Sequence, residues 1–197
     1  MFFCGSNPNK IMIKLAILAS GTGSNAENII RYFDRHPKIQ VACVVSNRKE
    51  AKVLEKAENL HIEHRAFSKQ AFLEENTVVK YLQSRADFII LAGFLLKIPG
   101  NMLAAYPNKI INIHPALLPK FGGKGMYGMS VHKAVKDMGE SETGITIHFI
   151  NENYDEGAVL FQAKTPVSKK DSPEDIAANI HKLEQTHFPR VIEKILT

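Results

Sequence analysis

Asn112 and His114 stand two residues apart at the end of a short apolar run, Lys109-Ile110-Ile111, and the chain then turns on Pro115 and Pro119. Alternation along a strand puts both side chains on the same side. An amide and an imidazole are thus delivered together to a strand end, which is where open α/β sheets build their sites. A donating amide beside a proton-handling ring suits the oxyanion that develops during acyl transfer. The plainer alternative is a polar strand end with a structural histidine, and other residues must decide between the two.

A second group of residues suits an anion. Gly21-Thr22-Gly23-Ser24-Asn25-Ala26 fits G-x-G-x-x-A between an apolar run and a helical pattern. Glycines let the backbone approach a phosphate, and the free N–H groups of a helix start favour it. A dinucleotide site would want an acid about 20 residues further on for the ribose. The matching stretch is Ser46-Asn47-Arg48, which has no acid, although Arg48 suits a phosphorylated ribose. Ser24 and Asn25 add donors fit for a single phosphate; a tight turn with no ligand is the alternative. A third group, Asn151 to Gly157, carries three carboxylates, Glu152, Asp155 and Glu156. A carboxylate beside His114 would orient the ring and favour its protonated form. A solvated turn is the alternative, and spacing alone does not select among the three acids.

The elements that must position these groups follow from hydrophobic periodicity. Strands are expected over Lys14 to Ala19, Gln40 to Ser46, His61 to Ala66, Asp87 to Ala92 and Lys109 to Ile113. Helices are expected over Ala26 to His36 and Ala51 to Asn59, and in pieces from a Ser68 cap to Arg85, with a short one over Pro99 to Tyr106. Such alternation implies crossovers and a mostly parallel sheet. After Pro119 the pattern changes. Phe121 to Met129 carries four glycines and reads as a loop. Ser130 to Met138 reads as a helix, and Thr143 to Ile150 with Ala158 to Val167 as an antiparallel pair. Ser172-Pro173-Glu174-Asp175 opens a last helix with a serine cap, a proline in the first turn and an acid three residues after the cap.

Composition bounds the function classes. A chain of 197 residues makes one good-sized domain with a sizeable core. The net charge of +5 favours anionic small molecules. No dense Lys/Arg run interleaved with aromatics supports a nucleic-acid surface. Cys4 and Cys43 make neither a disulfide framework nor a metal-ligand spacing, which fits a reducing, cytoplasmic setting. No apolar stretch is long enough for a bilayer span, and Met1 to Asn9 lack the pattern of a signal peptide. The expected organisation is an extension over 1–13 and a single domain over 14–197.

Together these motifs are highly specific. From about Lys14 onward the chain resembles the phosphoribosylglycinamide formyltransferase family, the small folate-dependent formyl-transfer enzymes of purine synthesis. Ser20-Gly21-Thr22-Gly23-Ser24-Asn25 matches the family's phosphate loop, and Ala92-Gly93-Phe94 the end of its central strand. Asn112-Ile113-His114-Pro115-Ala116-Leu117-Leu118-Pro119 matches its signature, and Asp155-Glu156-Gly157 the segment of its catalytic aspartate.

The resemblance implies a Rossmann-like α/β fold: a mostly parallel, twisted sheet with helices on both faces and late antiparallel strands. It implies a phosphate-binding N-terminal half and a folate-binding C-terminal half. The implied reaction moves the formyl group of 10-formyltetrahydrofolate, as cosubstrate and without a metal, to the amine of glycinamide ribonucleotide. Asn112, His114 and Asp155 match the catalytic positions. Gly23, Ser24, Asn25, His181 and Glu184 match substrate-binding positions; a surface histidine is the alternative for His181. Leu95, Leu96, Lys97 and Ile98 match the segment that receives the pterin, and Asn112 also faces the cosubstrate. Lys69 falls where the family often has an arginine near the cofactor, and lysine lacks the planar fork.

Gly122-Gly123-Lys124-Gly125-Met126-Tyr127-Gly128 departs from the family's shorter turn; it reads as a glycine-hinged flap or as a tolerated surface insertion. The alternatives are another folate-dependent formyltransferase, a formyltetrahydrofolate hydrolase and an NADP-binding Rossmann module. The enzyme for initiator tRNA would need a second C-terminal domain and the hydrolase an N-terminal regulatory domain. The Rossmann module would leave Asn112, His114 and Asp155 without a purpose.

Overall fold

The computed structural model describes residues 12–74 and 76–197. Cys4 and nearly all of the expected N-terminal extension lie outside the described residues. The first strand, β1 (Ile13–Leu18), is fully buried from Leu15 onward. A strand buried on both faces is an uninterrupted apolar run, as Leu15-Ala16-Ile17-Leu18 is, because helices cover a parallel sheet on each side. Six more strands follow: β2 (Ile39–Ser46), β3 (Glu63–Ala66), β4 (Phe88–Leu91), β5 (Ile110–His114), β6 (Glu142–Phe149) and β7 (Val159–Pro166). They form one sheet in the order β3-β2-β1-β4-β5-β6-β7. The first five are parallel, whereas β5–β6 and β6–β7 pair antiparallel.

Among the described residues seven helices cover the sheet: α1 (Ser24–Tyr32), α2 (Lys52–Asn59), α3 (Lys69–Glu74), α4 (Thr77–Gln83), α5 (Gly100–Ala105), α6 (Met129–Asp137) and α7 (Pro173–Leu196). Leu15 and Ile17 pack on one face with Ile29 of α1, Val53 of α2, Val135 of α6 and Ile180 and Phe188 of α7. Ala16 and Leu18 pack on the other with Phe72 of α3, Leu82 of α4 and Met102 of α5. The chain winds outward from β1 to β3, then returns to β4 on the other side of β1. In open α/β sheets ligands bind at the carboxyl ends of the strands flanking such a switch point.

Boundaries of three elements differ from the sequence expectation for a local reason. Helix α1 starts at Ser24, because Gly23 takes a left-handed φ of 74° as its N-cap. It stops at Tyr32: Pro37 disfavours helix at His36, and the His36 ring accepts the N–H groups of Lys38 and Ile39 to shape a turn. Strand β3 begins at Glu63, because His61 closes α2 with a φ of 56°. Strand β5 runs one residue further, so that His114 is still paired, opposite Thr146 of β6. The cap of α7 is as expected: Ser172 Oγ accepts from the Asp175 N–H, and the Asp175 carboxylate accepts from the Ser172 N–H.

Candidate active site

The carboxyl ends of β1, β4 and β5 open into one cavity of about 800 Å³. The glycine turn after β1 forms one wall and residues 93–98 after β4 another. Ser20 ties these walls together: its hydroxyl accepts the Leu95 N–H at 2.9 Å and donates to Asn47 Oδ1 at 2.6 Å, while its N–H donates to Gly93 O at 3.0 Å.

Asn112 and His114 line the cavity side by side. The buried partner that orders Asn112 is His148 on β6, directly opposite in register. His148 Nδ1 lies 2.8 Å from Phe149 O, and a carbonyl only accepts, so that nitrogen carries the proton. Nε2 is then bare and accepts one amide hydrogen of Asn112 at 3.1 Å. Burial pushes the His148 pKa down, partly offset by the Phe149 carbonyl and Asp155, which favours this neutral form. One N–H of Asn112 is left for the cavity. The sequence reading missed His148; its only signal is the Thr146/His148 alternation on a late strand.

His114 is 3% exposed. Its Nε2 donates to Phe121 O at 2.8 Å by the same carbonyl argument. Its Nδ1 lies 3.6 Å from Asp155 Oδ2, an ion-pair separation rather than a hydrogen bond. Of the three acids in the 151–157 loop, Asp155 is the one brought against His114, whereas Glu156 accepts from Asn153. Asp155 takes a φ of 57°. Its Oδ2 accepts the Gly123 N–H at 2.9 Å, and its Oδ1 lies 3.8 Å from His148 Nε2. The root of the glycine-rich loop therefore holds both members of the pair, through Phe121 and Gly123. Thr146 holds the turn after His114, donating to Ala116 O and accepting from the Leu118 N–H.

At the far end, Ser24 and Asn25 sit in the first turn of α1, whose N-cap makes no side-chain hydrogen bond. Asn25 Nδ2 donates to Glu184 Oε2 at 2.9 Å, and Gln185 Nε2 donates to Asn25 Oδ1. His181, 3.4 Å from the same Glu184 oxygen, has its pKa raised by that contact. Gly23, Ser24, Asn25, His181 and Glu184 all line the cavity, as do Leu95, Leu96, Lys97 and Ile98. The Lys97 ammonium stands 5.1 Å from the Tyr154 ring centre, linking the 93–98 wall to the 151–157 loop. Gly123 to Gly128 line the cavity from a third side. Lys69, exposed at the start of α3, and Arg48 are outside the lining. Among the described residues no group of three or more His, Cys, Asp or Glu is placed to hold a metal ion, and no helix is long and apolar enough to cross a membrane.

The arrangement offers an oriented amide donor, an imidazole with a carboxylate partner, an anion-friendly helix start and an apolar wall. Comparison with known proteins points the same way. Residues 13–192 match the model of the family described as "Formyl transferase". A phosphoribosylglycinamide formyltransferase of Bacillus subtilis is 36% identical over 191 residues, covering 94% of this chain and 95% of the relative. A chloroplastic one of Arabidopsis thaliana is 38% identical over 198 residues, covering 97% and 68%. The crystal structure of glycinamide ribonucleotide transformylase 1 from Geobacillus kaustophilus superposes with a TM-score of 0.86 at 33% identity, over 94% of this chain and all of that one.

Proposed function

The chain belongs to the formyl transferase family, and on that premise we propose that it transfers the formyl group of 10-formyltetrahydrofolate to the amine of glycinamide ribonucleotide, a step of purine biosynthesis. The observation that carries this reading is the convergence of Asn112, His114 and Asp155 in a cavity that is also lined by an anion-friendly helix start and an apolar wall. A cavity of about 800 Å³ is of the size that takes ligands with bulky rings. Leu95, Leu96 and Ile98 offer an apolar surface, and the backbone of 95–98 the polar groups, for the pterin.

The folate supplies a formyl group activated for transfer. Asn112 donates its free amide hydrogen to the formyl oxygen as negative charge develops there, a contribution of ~10²–10³-fold for one such donor. His114, protonated, supports the same charge, gives a proton to the folate nitrogen as its bond to the formyl carbon breaks, and regains one from the attacking amine. Asp155 holds the ring in place and balances its charge. Gly23, Ser24 and Asn25 receive the phosphate, and Glu184 with His181 the ribose portion. Lys69 has no part in this reading, since it lies outside the lining.

The test is an absorbance assay with 10-formyltetrahydrofolate, run with and without glycinamide ribonucleotide. Tetrahydrofolate production that depends on the ribonucleotide is expected. Equal turnover in its absence would assign a hydrolase instead.

A further inference from the structure

Helix α7 carries a proline in its interior, Pro189. Proline has no N–H, so the carbonyl four residues earlier, Gln185 O, loses the donor that an α-helix ordinarily supplies. The partner comes from another element: Asn28 Nδ2 of α1 donates to Gln185 O at 2.8 Å. Gln185 is held a second time through its side chain, since its Nε2 donates to Asn25 Oδ1 at 2.6 Å. Asn25 in turn donates from Nδ2 to Glu184 Oε2 at 2.9 Å. Asn25 and Asn28 are three residues apart on α1 and so share a face. The two helices are therefore clamped at two adjacent points.

One of the two points belongs to the cavity and the other does not. Asn25 and Glu184 line the cavity, whereas Asn28, Gln185 and Pro189 lie outside the lining. Asn28 thus acts on a ligand only through the residues it holds. We propose that Asn28 is a positioning residue for the ribonucleotide, an assignment that rests on the proposed function. By taking the carbonyl that Pro189 leaves free, Asn28 fixes the register of α7 along α1. That register sets Glu184 against Asn25, the pair assigned above to the ribose and the phosphate. The apolar wall proposed for the folate follows β4 and is built on neither helix, so the folate gains nothing from the clamp.

The test is steady-state kinetics with both substrates varied. Asn28→Ala removes the donor and keeps the proline. Its KM for glycinamide ribonucleotide is expected to rise about 3- to 10-fold, the worth of one neutral hydrogen bond. Its kcat and its KM for the folate should match the parent. The double variant Asn28→Ala/Pro189→Ala separates positioning from a mere need to satisfy the carbonyl. Alanine in place of the proline has an N–H for Gln185 O, yet no bond then crosses from position 28 to α7. The KM for the ribonucleotide should therefore stay raised. Asn28→Asp, of the same shape but without the donor, is read in the same way where alanine is not accommodated. Recovery of this KM in the double variant would overturn the assignment, as would an equal rise in both KM values or no rise in either. A parent protein whose turnover of the folate does not depend on the ribonucleotide would overturn the proposed function, and this assignment with it.

Discussion

Asn112 and His114 are held in different ways, and the difference matters for what each does. Asn112 is ordered by a neutral imidazole, because His148 gives its only proton to a backbone carbonyl and turns a lone pair toward the amide. His114 is held by the Phe121 carbonyl on one side and faces Asp155 on the other. Each ring nitrogen of His114 thus has an acceptor near it, which fixes the orientation of the ring. We expect His114→Ala to lower kcat by at least ~100-fold, the lower end for a positioned proton-transfer group, with little change in either KM. Steady-state kinetics with both substrates varied decides this, and a kcat within tenfold of the parent would remove His114 from the chemistry.

The turn between β1 and α1 shows how an element is placed by a single backbone conformation. Gly23 has a φ of 74°, and a Cβ built there would lie 2.5 Å from Val53 Cγ2 and 2.8 Å from the Val53 backbone. The close approach is locked by the Val53 N–H, which donates to Gly21 O at 3.2 Å. A side chain at Gly23 is therefore blocked by α2 and by its own backbone, before any phosphate is considered. Gly23→Ala is expected to lower stability by about 1–3 kcal/mol, the cost of a strained φ. It should show as a lower urea midpoint at unchanged m, with the stabilisation by ribonucleotide largely lost. A midpoint equal to that of the parent would mean the turn relaxes without cost.

Across the whole molecule, burying imidazoles makes the fold sensitive to acid. His132 and His148 both have pKa values lowered chiefly by burial. In the unfolded chain they take up protons near the ordinary value of 6.5, and in the folded protein only at lower pH. Within that window the unfolded state binds more protons, so acidification favours unfolding. Above 6.5 both states are neutral and the contribution is constant. His181 acts in the opposite sense: its raised pKa adds stability below 6.5 that is lost as pH rises. That group is 47% exposed, so solvent screens its share. The melting temperature should therefore fall as pH drops from 7.5 to about 5.5, and His132→Phe should flatten the slope. A slope unchanged by the substitution would show that His132 titrates alike in both states.

The order of strands and helices was readable because it rests on local patterns: an apolar run for each buried strand, periodic apolar faces for α1 and α2, and a serine-proline-acid start for α7. The pairing of Asn112 with His114 was readable for the same reason, since alternation along one strand is a local property. So was the anion-friendly turn, where Gly23 supplies a backbone conformation other residues resist. What joins these pieces spans long sequence separations. Residues 25 and 184, 112 and 148, and 114 and 155 meet only because β6 pairs antiparallel with β5 and α7 packs back over α1. Three acids in one loop look alike in sequence; the left-handed backbone at Asp155 and the Gly123 N–H turn one of them toward His114. Likewise no local pattern marks Lys69 as lying outside the cavity. Periodicity records which face of an element is buried, whereas a side chain's partners depend on which elements the folded chain brings together.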